Sequence, residues 1–380
     1  MLNLDKDRWR THRFADIATN VKDRVDDPSQ SGLDRYVGLE HLDPGSVTVN
    51  RWGDPSDVTA TKLVFRPGDV IFGRRRAYQK KTAQADFHGI ASAHALVLRA
   101  KPQVISERFL PHFIASDYFL DRAISISVGS LSPTVNWRDL AVQEFALPPL
   151  DEQERIADLL WAVERCRAAL LPLATRIATV YESSLASLPA DNRTLSEVCG
   201  AQAGGTPLRS RPDYYGGGIP WLKSGEVSNA HLGETEESIS ELGLASSSAK
   251  MVHMGAVLVA LYGDGKTRGT VGRAGCAMAT NQAVLALKPN PALCDEEFLF
   301  HWMFSRSPRL RAKSAGGAQK NLTKRLVLEE PFPSMSVPQQ AQVAAQLSTV
   351  LSGRDRIQDE ILSVSGLRSS LIASLLGNES

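Results

Sequence analysis

An internal duplication constrains the fold of this chain more than any other feature of its sequence. The run GDVIF begins at Gly68, and the related run GAVLV begins 187 positions later at Gly255. Other pairs of like residues keep the same spacing: Gln153 and Gln340, Ile156 and Val343, Leu160 and Leu347, Val135 and Leu322, Gly129 and Gly316. The motifs ERFL from Glu107 and EEFL from Glu296 are offset by 189, a drift that short insertions in surface loops would produce. The chain is therefore expected to fold as two copies of one architecture.

Each half ends in a long segment with helical periodicity. The first opens at Pro148, before acidic residues that favour a helix N-terminus, and the second opens at Pro338. The apolar stripe of the first comprises Ile156, Leu160, Val163, Cys166, Leu170, Leu173, Ile177 and Val180, and that of the second comprises Val343, Leu347, Val350, Ile357, Ile361, Val364, Leu371 and Leu375. Neither stripe can be buried alone, so we expect the helices to pair, antiparallel if a pseudo-dyad relates the halves. The alternative is two unrelated amphipathic helices, each packed on its own domain.

The region before each helix is about 150 residues long and carries short β-branched runs between Gly, Pro and charged residues. The predicted fold class is therefore α+β: two pseudo-repeated domains of small β-sheets with helices, separated by two long antiparallel, coiled-coil-like helices. Pro172 is expected to bend the first helix. The predicted boundaries are 1–150 for the first domain, 151–188 for the central helix, 189–337 for the second domain and 338–380 for the C-terminal helix.

Composition and charge exclude several classes of protein. The 380 residues are 43% hydrophobic and 22% charged, and no run approaches the ~18 to 20 apolar residues that span a bilayer. The N-terminus has no apolar signal-peptide core, so a cytoplasmic location is expected. Four cysteines are scattered without a C-x-x-C pair, which disfavours a zinc site or a disulfide framework. A net charge of +1 gives no argument for nucleic acid, so local charge must carry it.

Several segments resemble one family. The run FALPPLDEQERIADLL at 145–160 resembles the junction between recognition domain and helix in the specificity subunits of type I restriction–modification systems, and 331–347 resembles a degenerate second copy. In the second half, GGTPL at 204–208 and YYGGGIPWLKSGE at 214–226 resemble the beginning of a target-recognition domain, GDGKTRGTVG at 263–272 and TNQA at 280–283 its middle, and GGAQKNL at 316–322 its end. The resemblance covers most of the chain and is weakest over residues 1–60.

The resemblance implies a chain that reads DNA and performs no catalysis itself. The domains would be two target-recognition domains on double-stranded DNA, and two methyltransferase subunits would bind, roughly one to each half. S-adenosylmethionine would be the cofactor of those partners and not of this chain, and a separate motor and endonuclease subunit could join them. Because the halves differ in sequence, the target is expected to be bipartite and asymmetric. A helix of ~35 residues is about 50 Å long, which corresponds to roughly 15 base pairs between half-site centres.

Two basic clusters are the candidate DNA contacts. Residues 62–81 contain seven basic residues and one acid, and residues 306–325 contain seven basic residues and no acid. Lysine and arginine neutralise phosphates, and arginine can also read guanine. The alternative is an ordinary solvated charged face. The predicted DNA-binding residues of these clusters are Arg66, Arg74, Arg75, Arg76, Tyr78, Lys80, Lys81, Arg311, Lys313, Gln319, Lys320, Asn321 and Lys324.

The run Gly263-Asp-Gly-Lys-Thr nearly spells a phosphate-binding loop. The motif requires a glycine where this chain has Ala260, and no helix-forming stretch follows Thr267. Nucleotide hydrolysis is therefore disfavoured, and a loop that faces DNA is the preferred interpretation. It would use Lys266, Thr267, Arg268 and Arg273. We predict no catalytic residue and no metal ligand, since the histidines lack metal-binding spacing and no nucleophile elbow is present.

The segments most alike in the two halves are the helix starts, as two identical partners would require. The predicted partner-binding residues are Glu152, Gln153, Ile156, Leu160, Gln340, Val343 and Leu347. The alternative is that these residues are alike only because both begin helices. Two other functions stay open: the recognition subunit of a system whose restriction and methylation share one partner chain, and a scaffolding protein without a DNA function.

Overall fold

The computed structural model describes residues 6–188, 193–228, 231–263, 267–313 and 321–376. The chain divides into two compact units. Unit 1 comprises Met1–Leu171 with Asp359–Ser380, and unit 2 comprises Pro172–Gln358. Each of the two long helices is therefore shared: one half packs in unit 1 and the other half in unit 2.

Unit 1 is built from ten short strands and four short helices within the described residues, together with parts of the two long helices. Its strands are β1 Arg10–Arg13, β2 Ala18–Val21, β3 Arg24–Val25, β4 Tyr36–Val37, β5 Lys62–Phe65, β6 Val70–Gly73, β7 Thr82–Gln84, β8 Gly89–Ala91, β9 Ala95–Ala100 and β10 Glu144–Leu147. Its short helices are α1 Phe14–Ile17, α2 Leu110–Ile114, α3 Asp117–Ser125 and α4 Trp137–Ala141. The long helix α5 runs from Leu150 to Ala186 and contains Pro172 without interruption.

Unit 2 repeats this content. Its strands are β11 Cys199–Ala203, β12 Tyr215–Leu222, β13 His231–Leu232, β14 Ser238–Ile239, β15 Lys250–Val252, β16 Val257–Ala260, β17 Val271–Ala274, β18 Met278–Thr280 and β19 Val284–Pro289. Its helices are α6 Glu241–Ala245, α7 Glu296–Lys313 and α8 Lys324–Leu328, followed by the long helix α9, Val337–Leu376.

The duplication appears in the order of the strands. One sheet of unit 1 has the order β2-β9-β6-β7, and unit 2 contains β11-β19-β16-β17 with β13 added at the edge. The second sheet contains β5-β8-β4 in unit 1 and β15-β18-β12 in unit 2. In each unit one pair of this second sheet is parallel, β4 with β8 and β12 with β18, whereas its other shared pair is antiparallel. The two units thus share one mixed topology.

The glycine that opens the repeated motif has a backbone role. Gly68 precedes β6 with φ of +90°, and Gly255 precedes β16 with φ of +98°. A residue with a β-carbon is strained in this left-handed region, so the turn into the central strand favours glycine in both units. The strand that follows is buried along its whole length in each unit, which explains its unbroken apolar sequence.

The long helices run antiparallel within each unit. In unit 1, Ile156 and Leu160 of α5 share a core with Ile372 and Leu375 of α9. In unit 2, Tyr181 and Leu185 from the other end of α5 share a core with Ala344 and Leu347 of α9. The predicted α+β class with two repeated units and two long helices is confirmed, whereas the four-part division of the chain stays a prediction. In the part of the chain that the structure describes, no helix is long and apolar enough to cross a membrane.

Candidate nucleic-acid interface

The basic loop of unit 1 spans residues 74–81 and connects β6 to β7. It brings together six of the predicted DNA-binding residues: Arg74, Arg75, Arg76, Tyr78, Lys80 and Lys81. Arg66 lies apart from them, because the four residues of β6 separate it from the loop by about 13 Å of extended chain. The candidate interface of unit 1 is therefore this loop and not the whole basic cluster.

The loop has a strained backbone. A short 3₁₀ turn at Ala77–Gln79 is flanked by Arg76 with φ of 55° and Lys80 with φ of 52°. Only one other residue with a β-carbon, Ala60, has a positive φ in the described ranges. Such conformations persist when the surrounding structure holds them, and they concentrate at functional sites. The exposed side chain of Tyr78 lies on this turn.

The segment Val128–Val135 holds the basic loop in place. The Arg76 N–H donates to the Pro133 carbonyl at 2.7 Å, and the Val135 N–H donates to the Arg74 carbonyl at 2.9 Å. Arg75 and Arg76 each donate a side-chain Nε–H to the Ser132 hydroxyl, at 2.9 and 3.2 Å. Both guanidinium groups are fixed at their inner nitrogen and stay exposed. The result is an exposed positive surface whose backbone is held by the neighbouring segment, and such a surface suits contacts with phosphates.

Unit 2 has the corresponding pair of segments. The described residues 261–263 and 267–270 lie between β16 and β17 and belong to the loop of unit 2. The Leu322 N–H donates to the Leu261 carbonyl at 3.1 Å, and this bond is the counterpart, at the 187-residue spacing, of the bond between Val135 and Arg74. Thr267 and Arg268 lie half-buried in this loop. The predicted residues Lys266, Gln319 and Lys320 lie outside the described residues.

Comparison with known proteins identifies the family. Residues 54–171 and 189–363, more than half of the chain, match the profile of the type I restriction modification DNA specificity domain. The chain belongs to this specificity family. The type I restriction enzyme EcoDI specificity subunit of Escherichia coli is 28% identical over 153 residues, which are 39% of this chain and 33% of that protein. The chain therefore matches only about a third of that relative's length.

Two solved structures share the fold. The type I restriction–modification S subunit from M. genitalium superposes with a TM-score of 0.65 at 13% identity, covering 100% of this chain and 98% of that one. A chain from a structure of a type I R-M system, solved to explain complex assembly and conformational transition, gives a TM-score of 0.55 at 21% identity, with 98% of each chain covered. At these identities the likeness shows the arrangement of elements that the specificity family shares.

Two residues that we predicted to contact DNA are engaged elsewhere in this member of the specificity family. Arg273 forms an ion pair with Glu297 and donates to the Gly255 carbonyl at 3.1 Å. Lys313 pairs with the fully buried Glu330. Each cation compensates a carboxylate of its own unit, although Glu330 also has Arg309 at 3.6 Å. Withdrawing either cation would weaken the compensation of a buried or half-buried charge. The structure does not support phosphate contacts by these two residues.

The remaining predicted DNA-binding residues differ in their exposure and in the protein contacts that they already make. Lys80 forms an ion pair with the exposed Asp117 at 2.5 Å, and Lys81 donates to the Leu39 carbonyl at 2.6 Å. In unit 2, Arg311 is half-buried with Nη2 at 3.5 Å from the Thr270 hydroxyl. Asn321 and Lys324 are exposed, and they lie on either side of Leu322, whose N–H is bonded to the loop of unit 2. The exposed members are the better candidates because phosphates reach them without breaking a contact.

The two glutamines at the helix starts anchor α5 and α9 inside their own units. The Gln153 side-chain oxygen accepts from the Ser106 N–H at 2.8 Å, and its amide donates to the Val104 and Pro148 carbonyls, both at 2.9 Å. Gln340 repeats this pattern with three backbone partners: it accepts from Asp295 at 2.9 Å and donates to Leu293 and Met335 at 3.0 and 2.9 Å. The specificity family signature at this junction is thus explained by folding.

Most of the residues that we predicted to bind partners are consequently inaccessible. Gln153, Ile156, Leu160, Gln340 and Leu347 are all buried. Only Glu152 and Val343 are half-exposed. Direct partner contact by the five buried side chains would require the unit to open, so a partner surface at these junctions must use the exposed neighbours. Sequence reasoning also missed Ser132, although the repeated Gly129 and Gly316 marked its segment.

Proposed function

We propose that this chain selects the DNA target of a type I restriction–modification complex by reading two different half-sites, one with each unit. The observation that carries the proposal is the repeated arrangement at the candidate interface. In both units a loop follows the buried central strand, β6 or β16, and a second segment is bonded to the base of that loop. Because the loop sequences differ, the two half-sites are different and the target is asymmetric.

Two methyltransferase subunits are the proposed partners, with a motor and endonuclease subunit in the complete system. Support comes from the paired junctions, where Gln153 and Gln340 fix the two helix starts in the same way. The exposed residues beside these two equivalent junctions would suit two copies of one partner. The chemistry, including the binding of S-adenosylmethionine, belongs to that partner, and this chain contributes recognition without catalysis. A cytoplasmic location, where a bacterial complex meets DNA, belongs to the same proposal.

The long helices are the proposed ruler between the half-sites. They contain 37 and 40 residues, and each helical residue adds about 1.5 Å. Inserting one turn into both helices is expected to lengthen the unspecified middle of the target and to leave the half-site bases unchanged. A change in the half-site bases themselves would count against the ruler.

Two alternatives make different predictions. A recognition subunit whose single partner both methylates and cleaves would show the same DNA behaviour and differ only in the protein that co-purifies. A scaffolding protein would bind no duplex specifically, and its basic loops could be neutralised without consequence. The exposed and braced arginines Arg75 and Arg76 favour DNA recognition over scaffolding.

The first experiment is to co-express the chain with the candidate methyltransferase of its own host and to sequence the methylated bases of the DNA. A bipartite N6-methyladenine motif that disappears when this chain is deleted would establish the proposal. The matched variant R75E/R76E should lose the motif while the complex still co-purifies. An active methyltransferase whose motif is unchanged by the deletion would overturn the proposal in favour of scaffolding.

A further inference from the structure

The segment beside the basic loop of unit 1 forms a small closed hairpin. Val128 and Thr134 exchange backbone hydrogen bonds of 3.1 and 2.9 Å, so residues 129–133 form its tip. Gly129 turns the chain with φ of +118°. The Thr134 hydroxyl donates to the Ser132 carbonyl at 3.1 Å, and Thr134 also bridges to Arg75. The tip is therefore held from within and from the neighbouring loop.

The tip presents an apolar side chain to solvent. Leu131, at its centre, is 90% exposed, the highest value among the large hydrophobic residues that the structure describes, and Val128 at the base is 65% exposed. Single exposed leucines are common on protein surfaces and need no explanation by themselves. Leu131 differs because a braced turn holds it outward beside two guanidinium groups that are anchored to Ser132, the next residue.

The charge of this surface indicates its occupant. Neither the loop 74–81 nor the hairpin 128–134 contains an acidic residue. An apolar tip flanked by fixed cations complements a polyanion whose interior is apolar, which describes duplex DNA. DNA-binding proteins insert leucine or similar side chains among the bases while basic residues grip the adjacent phosphates. Apolar side chains also contact the thymine methyl group.

We propose that Leu131 enters a groove of the DNA and packs against the bases of the half-site read by unit 1, while Arg75 and Arg76 hold the flanking phosphates. The proposal rests on the function proposed above and adds the mode of reading. Unit 2 has Ala318 at the matching sequence position, 187 residues later. The proposed leucine contact therefore concerns the half-site of unit 1.

The test uses the complete complex with its methyltransferase and three duplexes: the target, the target altered in the half-site of unit 1, and the target altered in the other half-site. Leu131→Ala should weaken binding to the target and to the third duplex by roughly tenfold. It should have no effect on the second duplex, where the contact is already lost. The dependence of binding on salt should not change, because no phosphate contact is removed. Arg75→Ala should instead weaken all three duplexes and reduce the salt slope by about one.

Val142→Ala is the matched control, since Val142 is an exposed apolar residue of the same unit at 61% exposure, and it should leave all affinities unchanged. Leu131→Met should retain most of the affinity. Equal binding by Leu131→Ala and the wild type, or an equal loss on all three duplexes, would refute the proposal. Loss of the methyltransferase on purification would show that Leu131 contacts the partner instead. If the wild-type complex does not distinguish the three duplexes, the proposed function itself has failed.

Discussion

Two buried histidines occupy matching positions in the two units, but within the described residues only one of them is hydrogen-bonded at both ring nitrogens. In unit 2 the His301 Nδ1 lies 2.8 Å from the Tyr181 hydroxyl and its Nε2 lies 2.8 Å from the Ser348 hydroxyl. Ser348 in turn donates to Glu297 at 2.9 Å. In unit 1 the matching His112, 189 residues earlier, has no protein hydrogen-bond partner at either ring nitrogen among the described residues.

The neighbours of His112 explain the difference. Its ring packs edge-on against Trp161 at 4.9 Å, and Trp161 stands where unit 2 has Ser348. The position of Tyr181 is taken in unit 1 by Arg368, which is buried and forms an ion pair with the buried Glu164. Unit 1 thus joins α5 to α9 by a charge pair, whereas unit 2 joins α5, α7 and α9 through neutral hydroxyls and a histidine.

The two units kept the same glutamine anchors, whereas the contacts between their long helices diverged. If α5 and α9 halves were exchanged, Glu164 or Arg368 would be buried without its opposite charge, which is strongly unfavourable. Buried polar residues often fix the register and partner of paired helices in this way. The different contacts therefore favour the observed pairing of each half of α5 with one half of α9.

The largest expected effect is the loss of the charge pair. Arg368→Met should destabilise unit 1 by about 3 to 5 kcal/mol, because Glu164 is left buried with only Arg167, 3.5 Å away, to compensate it. The double variant E164L/R368L should recover most of this loss, since no charge is then buried. Chemical denaturation monitored by hydrogen exchange measures the stability of unit 1 in both variants. Arg356→Met, on an exposed position of the same helix, is the control. A harmless Arg368→Met would show that the pair does not hold the helices.

Next in size is the loss of either anchor. Gln153→Leu and Gln340→Leu each leave one N–H and two carbonyls without their partner, at about 2 to 4 kcal/mol per variant. If the matching hydrogen bonds also contribute equally to stability, the free energies of unfolding lost in the two variants should agree within about 0.5 kcal/mol. Gln342→Leu, exposed on α9, controls for the change of side chain. Strongly unequal losses would mean that other contacts stabilise one of the two junctions in place of the glutamine.

The anchors also show how far the sequence could be interpreted. The 187-residue spacing was enough to predict two matching units, the long helices and the correspondence of Gln153 in one unit with Gln340 in the other. It could not tell whether those glutamines face a partner or the backbone of their own unit, because two of the three hydrogen-bond partners of each glutamine lie 45 to 49 residues away in the sequence. The same limit applies to Arg273 and Lys313, whose carboxylates come from another element. The exposed Leu131 gave no pattern at all, since a lone leucine in a loop has no periodicity.

The units should also lose stability in different pH ranges. Burial first, and then the charges of Arg368 and Arg108, lower the pKa of His112 from 6.5 to about 3. Between pH 6.5 and 3, His112 is protonated in the unfolded chain but not in the folded one. Unit 1 therefore has its full stability above pH 6.5, and its free energy of unfolding decreases as the pH falls from 6.5 to 3. The loss is about 1.4 kcal/mol per pH unit, or about 2 kcal/mol at pH 5.

In unit 2, hydrogen bonding by His301 first, opposed by burial and then aided by Ser348 and Arg273, lowers the pKa of Glu297 from 4.5 to about 2. Its contribution is present above pH 4.5 and disappears as the pH falls towards 2. Denaturation midpoints of each unit from pH 7 to 4, measured by hydrogen exchange, check the order. Unit 1 should weaken first, and His112→Leu should remove its slope between pH 6.5 and 5. An unchanged slope in that variant would assign the acid sensitivity to another group.

The smallest expected effect separates the two kinds of helix contact most cleanly. Tyr181→Phe removes one hydroxyl, keeps the ring against Phe304 at 5.9 Å, and leaves the buried His301 Nδ1 without its partner. The expected loss for unit 2 is about 1 kcal/mol, the net value of one neutral hydrogen bond. Unit 1 should be unaffected, because its corresponding residue is Arg368. A loss above about 3 kcal/mol would mean that the Tyr181–His301–Ser348 chain behaves as one cooperative network. In that case the neutral hydrogen bonds between the helices of unit 2 would stabilise it about as much as the Glu164–Arg368 ion pair stabilises unit 1.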